Sequence, residues 1–272
     1  MIFESETVTG KSNPALMRAA SLKDKKYRRR YKAFLCDGIK LFYELCDGGC
    51  DIDRIWVNED ARERILPLIE AKEKSLGREF SVRTAADHCF SKLTDENASE
   101  GIVCEAPFLS RHISGECILA EGERALMLAS VRDPGNLGTV ARSALAFGIT
   151  RLVVTSDCAD IYSQKTLRAA MGAIFKLNIT SVSDGVAAVS RIRETGRRVY
   201  AAELRPGAVD LLKADVCRSD VFIVGNEGTG IPEEISREAD KSVFIPISED
   251  SESLNAAAAA AVLMWHQSTR EV

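Results

Sequence analysis

The chain has 272 residues, with 36 basic and 40 acidic side chains and a formal net charge of −4. That length suits one large or two modest domains. With 46% apolar and 28% charged residues, composition excludes a disordered chain, because enough apolar material is present to build a core. The longest uncharged apolar stretch, 254–265, is too short to span a bilayer. The opening Met1-Ile2-Phe3-Glu4-Ser5-Glu6 has neither a basic segment nor an apolar one, so no secretory signal is expected and the chain reads as cytoplasmic.

Residues 1–35 hold nine basic side chains against three acidic ones, so a basic front sits on an acidic body. The run Lys23-Asp24-Lys25-Lys26-Tyr27-Arg28-Arg29-Arg30-Tyr31-Lys32 interleaves cations with two tyrosines able to stack on bases. Lys23, Lys25, Lys26, Arg28, Arg29 and Arg30 are thus candidate RNA contacts; the alternative is a solvated helix face. Next come a short strand and turn at 34–38, a helix over 39–46 stopped by Gly48-Gly49, and a strand over 52–57. A helix over 61–75, a strand at 80–82, a helix over 85–93 and a strand over 101–106 complete a small α/β domain, 1–108. The polar stretch 109–122 reads as a linker.

From 123 onward a second α/β series runs to 272. Strands are expected over 125–131, 151–155, 176–180, 198–202, 221–224 and 242–245. Helices are expected over 137–147, 164–170, 186–193, 232–239 and 254–266. The alternation implies a mostly parallel sheet, whose ligands bind beyond the carboxyl ends of the strands. The eight cysteines form no CxxC pair, and the three histidines stand in no hydrolase or HExxH setting. Reduced thiols and no metal site are expected.

Three loops carry unusual residues. Arg132-Asp133-Pro134-Gly135-Asn136-Leu137-Gly138 opens a helix bearing Arg142, with Asn136 the expected N-cap. Gly225-Asn226-Glu227-Gly228-Thr229-Gly230 brings backbone close to a ligand, but is neither GxGxxG nor a Walker loop. Ile245-Pro246-Ile247 leads through Ser253-Leu254-Asn255 into a polyalanine helix, with Ser253 the expected cap.

In order and spacing, these loops resemble the SpoU (TrmH-type) family of RNA ribose 2′-O-methyltransferases of the SPOUT class. The matching residues are Asn136, Gly138 and Arg142, then Gly225, Glu227 and Gly230, then Ile245-Pro246-Ile247 and Ser253-Leu254-Asn255. The stretch 165–173 is similar to the family's middle segment. Ser12-Asn13-Pro14 and 34–38 are similar to its ribosomal-protein-like substrate-binding domain. Departures are Ile247 for Met, Glu249 for Gly, Asn255-Ala256-Ala257 for Asn-Val-Ser, and Asp37-Gly38 for Glu-Gly. With Asp250 and Glu252, Glu249 makes the cofactor loop more acidic.

The resemblance implies a knotted α/β catalytic domain behind a small α/β RNA-binding domain, a homodimer, and S-adenosyl-L-methionine as methyl donor. It implies Arg142 as the central catalytic residue, oriented with the ribose by Asn136, Glu227, Ser253 and Asn255. The cofactor would lie against Gly225, Gly230, Ile245, Ile247 and Leu254. The substrate implied is structured RNA, ribosomal before transfer RNA; the alternative is a non-catalytic RNA-binding or assembly protein on the same fold.

Overall fold

The computed structural model describes residues 1–3, 6–95, 99–248, 250 and 253–270. The chain folds into two compact units: 1–109 with 160–175, and 110–159 with 176–272.

The first unit opens with strand β1 (Ile2–Phe3) and helices α1 (Pro14–Ser21) and α2 (Lys25–Tyr31). Asn13 caps α1 by accepting from the Ala15 and Leu16 amides, and Pro14 occupies the first helical position. There follow β2 (Ala33–Asp37), α3 (Ile39–Asp47), β3 (Arg54–Asn58), α4 (Arg62–Leu76), β4 (Ser81–Ala85), α5 (Asp87–Phe90) and β5 (Ile102–Pro107). Among the described residues the sheet order is β1-β4-β3-β5-β2. β5 runs antiparallel to both β2 and β3, and the other pairs are parallel. Leu16 and Ala19 of α1 pack with Leu35, Trp56 and Val103 in the core.

The second unit begins with β6 (His112–Ser114), inside the stretch expected to be a linker. β6 pairs with a later strand, and Cys117 and Leu119 enter the core, so 110–122 is integral to the unit. β7 (Ala125–Leu128), α6 (Pro134–Ala146) and β8 (Arg151–Thr155) follow. The chain then leaves this unit: 160–175, carrying α7 (Gln164–Ala170), belongs with the first unit, where α7 packs on β2. Tyr162 stacks there between Phe34 and Phe108, at centroid distances of 4.6 and 4.2 Å. The segment expected in the middle of the catalytic domain is therefore a sequence insertion into the first unit's core.

Back in the second unit come β9 (Asn178–Val182), α8 (Gly185–Glu194), β10 (Val199–Ala202), β11 (Val209–Asp210), β12 (Val221–Val224), α9 (Glu233–Ser236), β13 (Lys241–Phe244) and α10 (Ala256–Ser268). Among the described residues the sheet order is β11-β13-β10-β12-β7-β8-β9-β6, and every pair is parallel. All four residues of β7 and of β12 are buried, as central parallel strands covered on both faces require. From β7 the chain proceeds to β8 on one side, whereas β12 borders β7 on the other. The crevice beyond the carboxyl ends of β7 and β12 is thus where the winding reverses, the usual ligand position in such a sheet. α10 packs on α6 beside it.

Candidate active site

β7 ends early because Ser130 adopts a left-handed conformation, φ 59°. Its amide donates to Thr155 Oγ1 at 2.9 Å, and that hydroxyl donates to Asp157 at 2.6 Å. Burial alone would raise the Asp157 pKa. Hydrogen bonds from Thr155, Ser130 and Arg132 outweigh it and hold the carboxyl below its ordinary range. This bracing fixes the turn that aims α6 at the crevice.

Asp133, not Asn136, caps α6: its carboxylate accepts from the Asn136 amide at 2.8 Å, and Pro134 takes the first helical position. The helix starts three residues earlier than the apolar period suggests. That releases the Asn136 side chain from capping and turns it toward the other loops.

The β12 loop closes on itself. The Asn226 amide donates to Gly230 O at 3.0 Å, and the Gly230 amide returns the bond at 2.9 Å. Asn226 Oδ1 accepts from the Gly228 and Thr229 amides, while Nδ2 reaches Ser130 O at 3.3 Å, tying this loop to the end of β7. A Cβ on the buried Gly225 would stand 2.4 Å from the Gly230 carbonyl carbon, so only glycine permits the approach. Sequence reasoning singles out neither Asn226 nor Ser130. The Asn inside Gly-Asn-Glu is an available signal for the first, whereas the αL serine leaves none.

At α10, Asn255 is the N-cap in place of the expected Ser253; its Oδ1 accepts from the Ala257 and Ala258 amides. Its Nδ2 is left to donate to Asn136 Oδ1 at 3.0 Å. Asn136 Nδ2 in turn donates to Glu227 Oε1. Each amide therefore has its orientation set by what its other end must do. Three residues 91 and 119 positions apart along the chain meet in one hydrogen-bonded row.

Arg142 lies two turns into α6 and is exposed; among the described residues nothing pairs with it. Ser253 is exposed, Leu254 and Ile245 are half-buried, and Ile247 is 41% exposed. Of the acidic residues Glu249, Asp250 and Glu252, Glu249 and Glu252 lie outside the described residues.

The candidate RNA contacts separate. Arg28 is 4% exposed: it donates to the Leu22 and Lys23 carbonyls at 2.7 Å and pairs with Asp160 at 2.7 Å. It belongs to the first unit's interior, so the expectation that it meets RNA is corrected. Lys23 pairs with Asp95 at 2.6 Å. Lys26, Arg29 and Arg30 are exposed, and Lys25 is half-buried.

Among the described residues no group of acidic, His or Cys side chains can hold a metal ion, and no helix is long and apolar enough to cross a membrane. The eight cysteines are free thiols.

The model of the SpoU rRNA Methylase family matches residues 123–265, and that of the MRM3-like substrate binding domain matches residues 13–104. The chain is 30% identical over 249 residues to the 23S rRNA (guanosine(2553)-2'-O)-methyltransferase RlmP of Bacillus subtilis (strain 168), covering 90% of this chain and 92% of that protein. It is 27% identical to the AdoMet-bound rRNA methyltransferase from Sinorhizobium meliloti, at a TM-score of 0.78, over 96% of this chain and 97% of that one. It shares its fold with the SpoU methyltransferase AviRb from Streptomyces viridochromogenes, at 21% identity and a TM-score of 0.80, over 94% and 97% of the two chains. The second unit has the parallel sheet expected from the alternation of strands and helices, in the SPOUT-type α/β architecture that the resemblance implies. The chain belongs to the SpoU rRNA methylase family.

Proposed function

We propose that this protein transfers a methyl group from S-adenosyl-L-methionine to a ribose 2′-hydroxyl of ribosomal RNA. The observation that carries the proposal is the row Asn255–Asn136–Glu227, assembled where the sheet's winding reverses.

A nucleoside-bearing donor fits the neighbouring loops. In this proposal its nucleoside lies against the tight Gly225–Gly230 turn and the partly open apolar side chains of Ile245, Leu254 and Ile247. When bound, the donor supplies an activated sulfonium methyl, so the chain's own task is alignment of an in-line displacement. Transfer would form the C–O bond at the ribose as the donor's S–C bond breaks, with the hydroxyl proton leaving to phosphate or water. A guanidinium carries N–H donors and no acceptor, so Arg142 is not cast as the base. Its role in this proposal is to hold the target phosphate and stabilise the developing alkoxide. Asn136, held at both ends, and Glu227 and Ser253 orient the ribose. The resemblance further implies a trefoil knot and a homodimer, and these, with a cytoplasmic setting, belong to the same proposal.

The test is transfer of tritium from labelled S-adenosylmethionine to unmodified ribosomal and transfer RNA, followed by mapping of 2′-O-methyl positions. We expect label in ribosomal RNA at a defined ribose. Arg142→Ala and Arg142→Lys should both abolish it while cofactor binding stays within a few-fold, because a point charge cannot replace a bidentate fork. Label in transfer RNA alone would overturn the substrate, and an active Arg142→Ala enzyme would overturn the role given to Arg142.

A further inference from the structure

We infer that Tyr27, Tyr31 and Arg18 form a platform on which an unpaired nucleobase stacks, so that the first unit selects looped RNA over duplex. The inference rests on the RNA reading above and adds the kind of RNA recognised.

The sequence of α2 places its tyrosines four residues apart, on one face of the helix. Their rings lie 6.2 Å apart between centroids and within 15° of parallel. Tyr31 remains 37% exposed, so this is not a core pair. The Arg18 guanidinium, contributed by α1, stands 5.1 Å from the Tyr31 centroid; Arg30 stands at 5.6 Å, and Lys26 lies 5.8 Å from Tyr27.

Arg18 is held in place from below. Glu105 is 1% exposed, with one carboxylate oxygen accepting from Arg18 and the other 3.4 Å from Arg54, its directly opposed residue on β3. A buried carboxylate is tolerated because two guanidiniums share it. The consequence is an arginine that is anchored at one end, set over the Tyr31 ring and still 40% exposed, so the guanidinium itself offers a stacking surface above the tyrosines. Guanidinium planes and aromatic rings are the two side-chain surfaces on which bases stack. Lys26, Arg29 and Arg30 alongside supply the positive field that draws a phosphate chain to the platform. Inside a duplex both faces of each base are already stacked, so only a splayed-out base can use such a surface.

The experiment compares the full-length protein's binding to a short hairpin with 2-aminopurine in its loop and to a duplex with the same number of phosphates. The wild type should prefer the hairpin and quench the 2-aminopurine. The double variant Tyr27→Leu/Tyr31→Leu keeps apolar bulk and favours helix more than tyrosine does, so α2 should persist. Its hairpin affinity should fall by about 5- to 100-fold, the loss expected of an unstacked base, with the quench gone and the salt slope and duplex affinity unchanged. Tyr27→Phe/Tyr31→Phe should behave as wild type. Unchanged hairpin affinity and quench in the leucine variant, or no hairpin preference in the wild type, would overturn the platform while leaving the proposed function standing. No binding to either RNA would overturn both.

Discussion

Asn255 does two jobs with one amide, and substitution can separate them. Its oxygen caps α10 through the Ala257 and Ala258 amides, and its nitrogen holds Asn136. Asn255→Asp keeps an acceptor for the cap but has no N–H for Asn136. Asn136 must then rotate its amide to donate to the introduced carboxylate, which sets its oxygen against the Glu227 carboxylate. Asn255→Ala loses both functions. Loss of the cap costs about 1 kcal/mol, which lowers the melting temperature by about 2–4 °C in a chain of this size. Displacement of a positioning group by about 1 Å costs on the order of 100-fold in turnover. The alanine variant should therefore lose stability and activity, whereas the aspartate variant should melt near wild type and still lose about 100-fold in kcat. Calorimetry and single-turnover methyl transfer read the two effects separately. An aspartate variant with turnover close to wild type would show that the Asn255–Asn136 bond positions nothing.

Gly225→Ala places a methyl group 2.4 Å from backbone of Gly230; if that loop holds the cofactor, the overpacking should weaken S-adenosylmethionine binding by at least about tenfold in titration calorimetry. Arg28→Ala leaves Asp160 and two carbonyls without their buried partner and should cost about 3–5 kcal/mol in denaturant melts. Arg29→Ala and Arg30→Ala should melt like wild type, and each should flatten the salt slope of RNA binding by about 0.7. Glu203 is pushed up by burial, but hydrogen bonds from Ser236, Ser242 and Arg205 prevail and hold its pKa below the ordinary 4.5. A lowered folded pKa contributes stability that is present above about 4.5 and lost as pH falls through the folded value. The stability gap between wild type and Glu203→Gln should accordingly shrink on acidification below about pH 4.5; a gap independent of pH there would remove Glu203 from the acid limb.

Much of the second unit is legible in the sequence because its signals are local. The runs Ala125–Leu128 and Val221–Val224 announce strands buried on both faces, and the loops that follow them carry Asn136, Gly225 and Glu227. Strand boundaries shift by a few residues where conformation intervenes, as at Ser130, whose positive φ ends β7 inside an apolar run. The caps differ from expectation because Asn136 and Asp133 are both competent, as are Ser253 and Asn255. Which one caps depends on where packing starts the helix. Composition likewise makes six neighbouring cations equivalent. Folding α2 onto the first unit buries Arg28 against Asp160, a residue 132 positions away, while Arg29 and Arg30 face solvent. The same distance effect governs 160–175, whose helical period is plain in the sequence but whose place in the first unit's core is not. Hydrophobic period and loop chemistry act over a few residues and can be read in order. Sheet order, shared caps and buried ion pairs join residues far apart in the chain, and only the packed chain determines which of several competent side chains meets its partner.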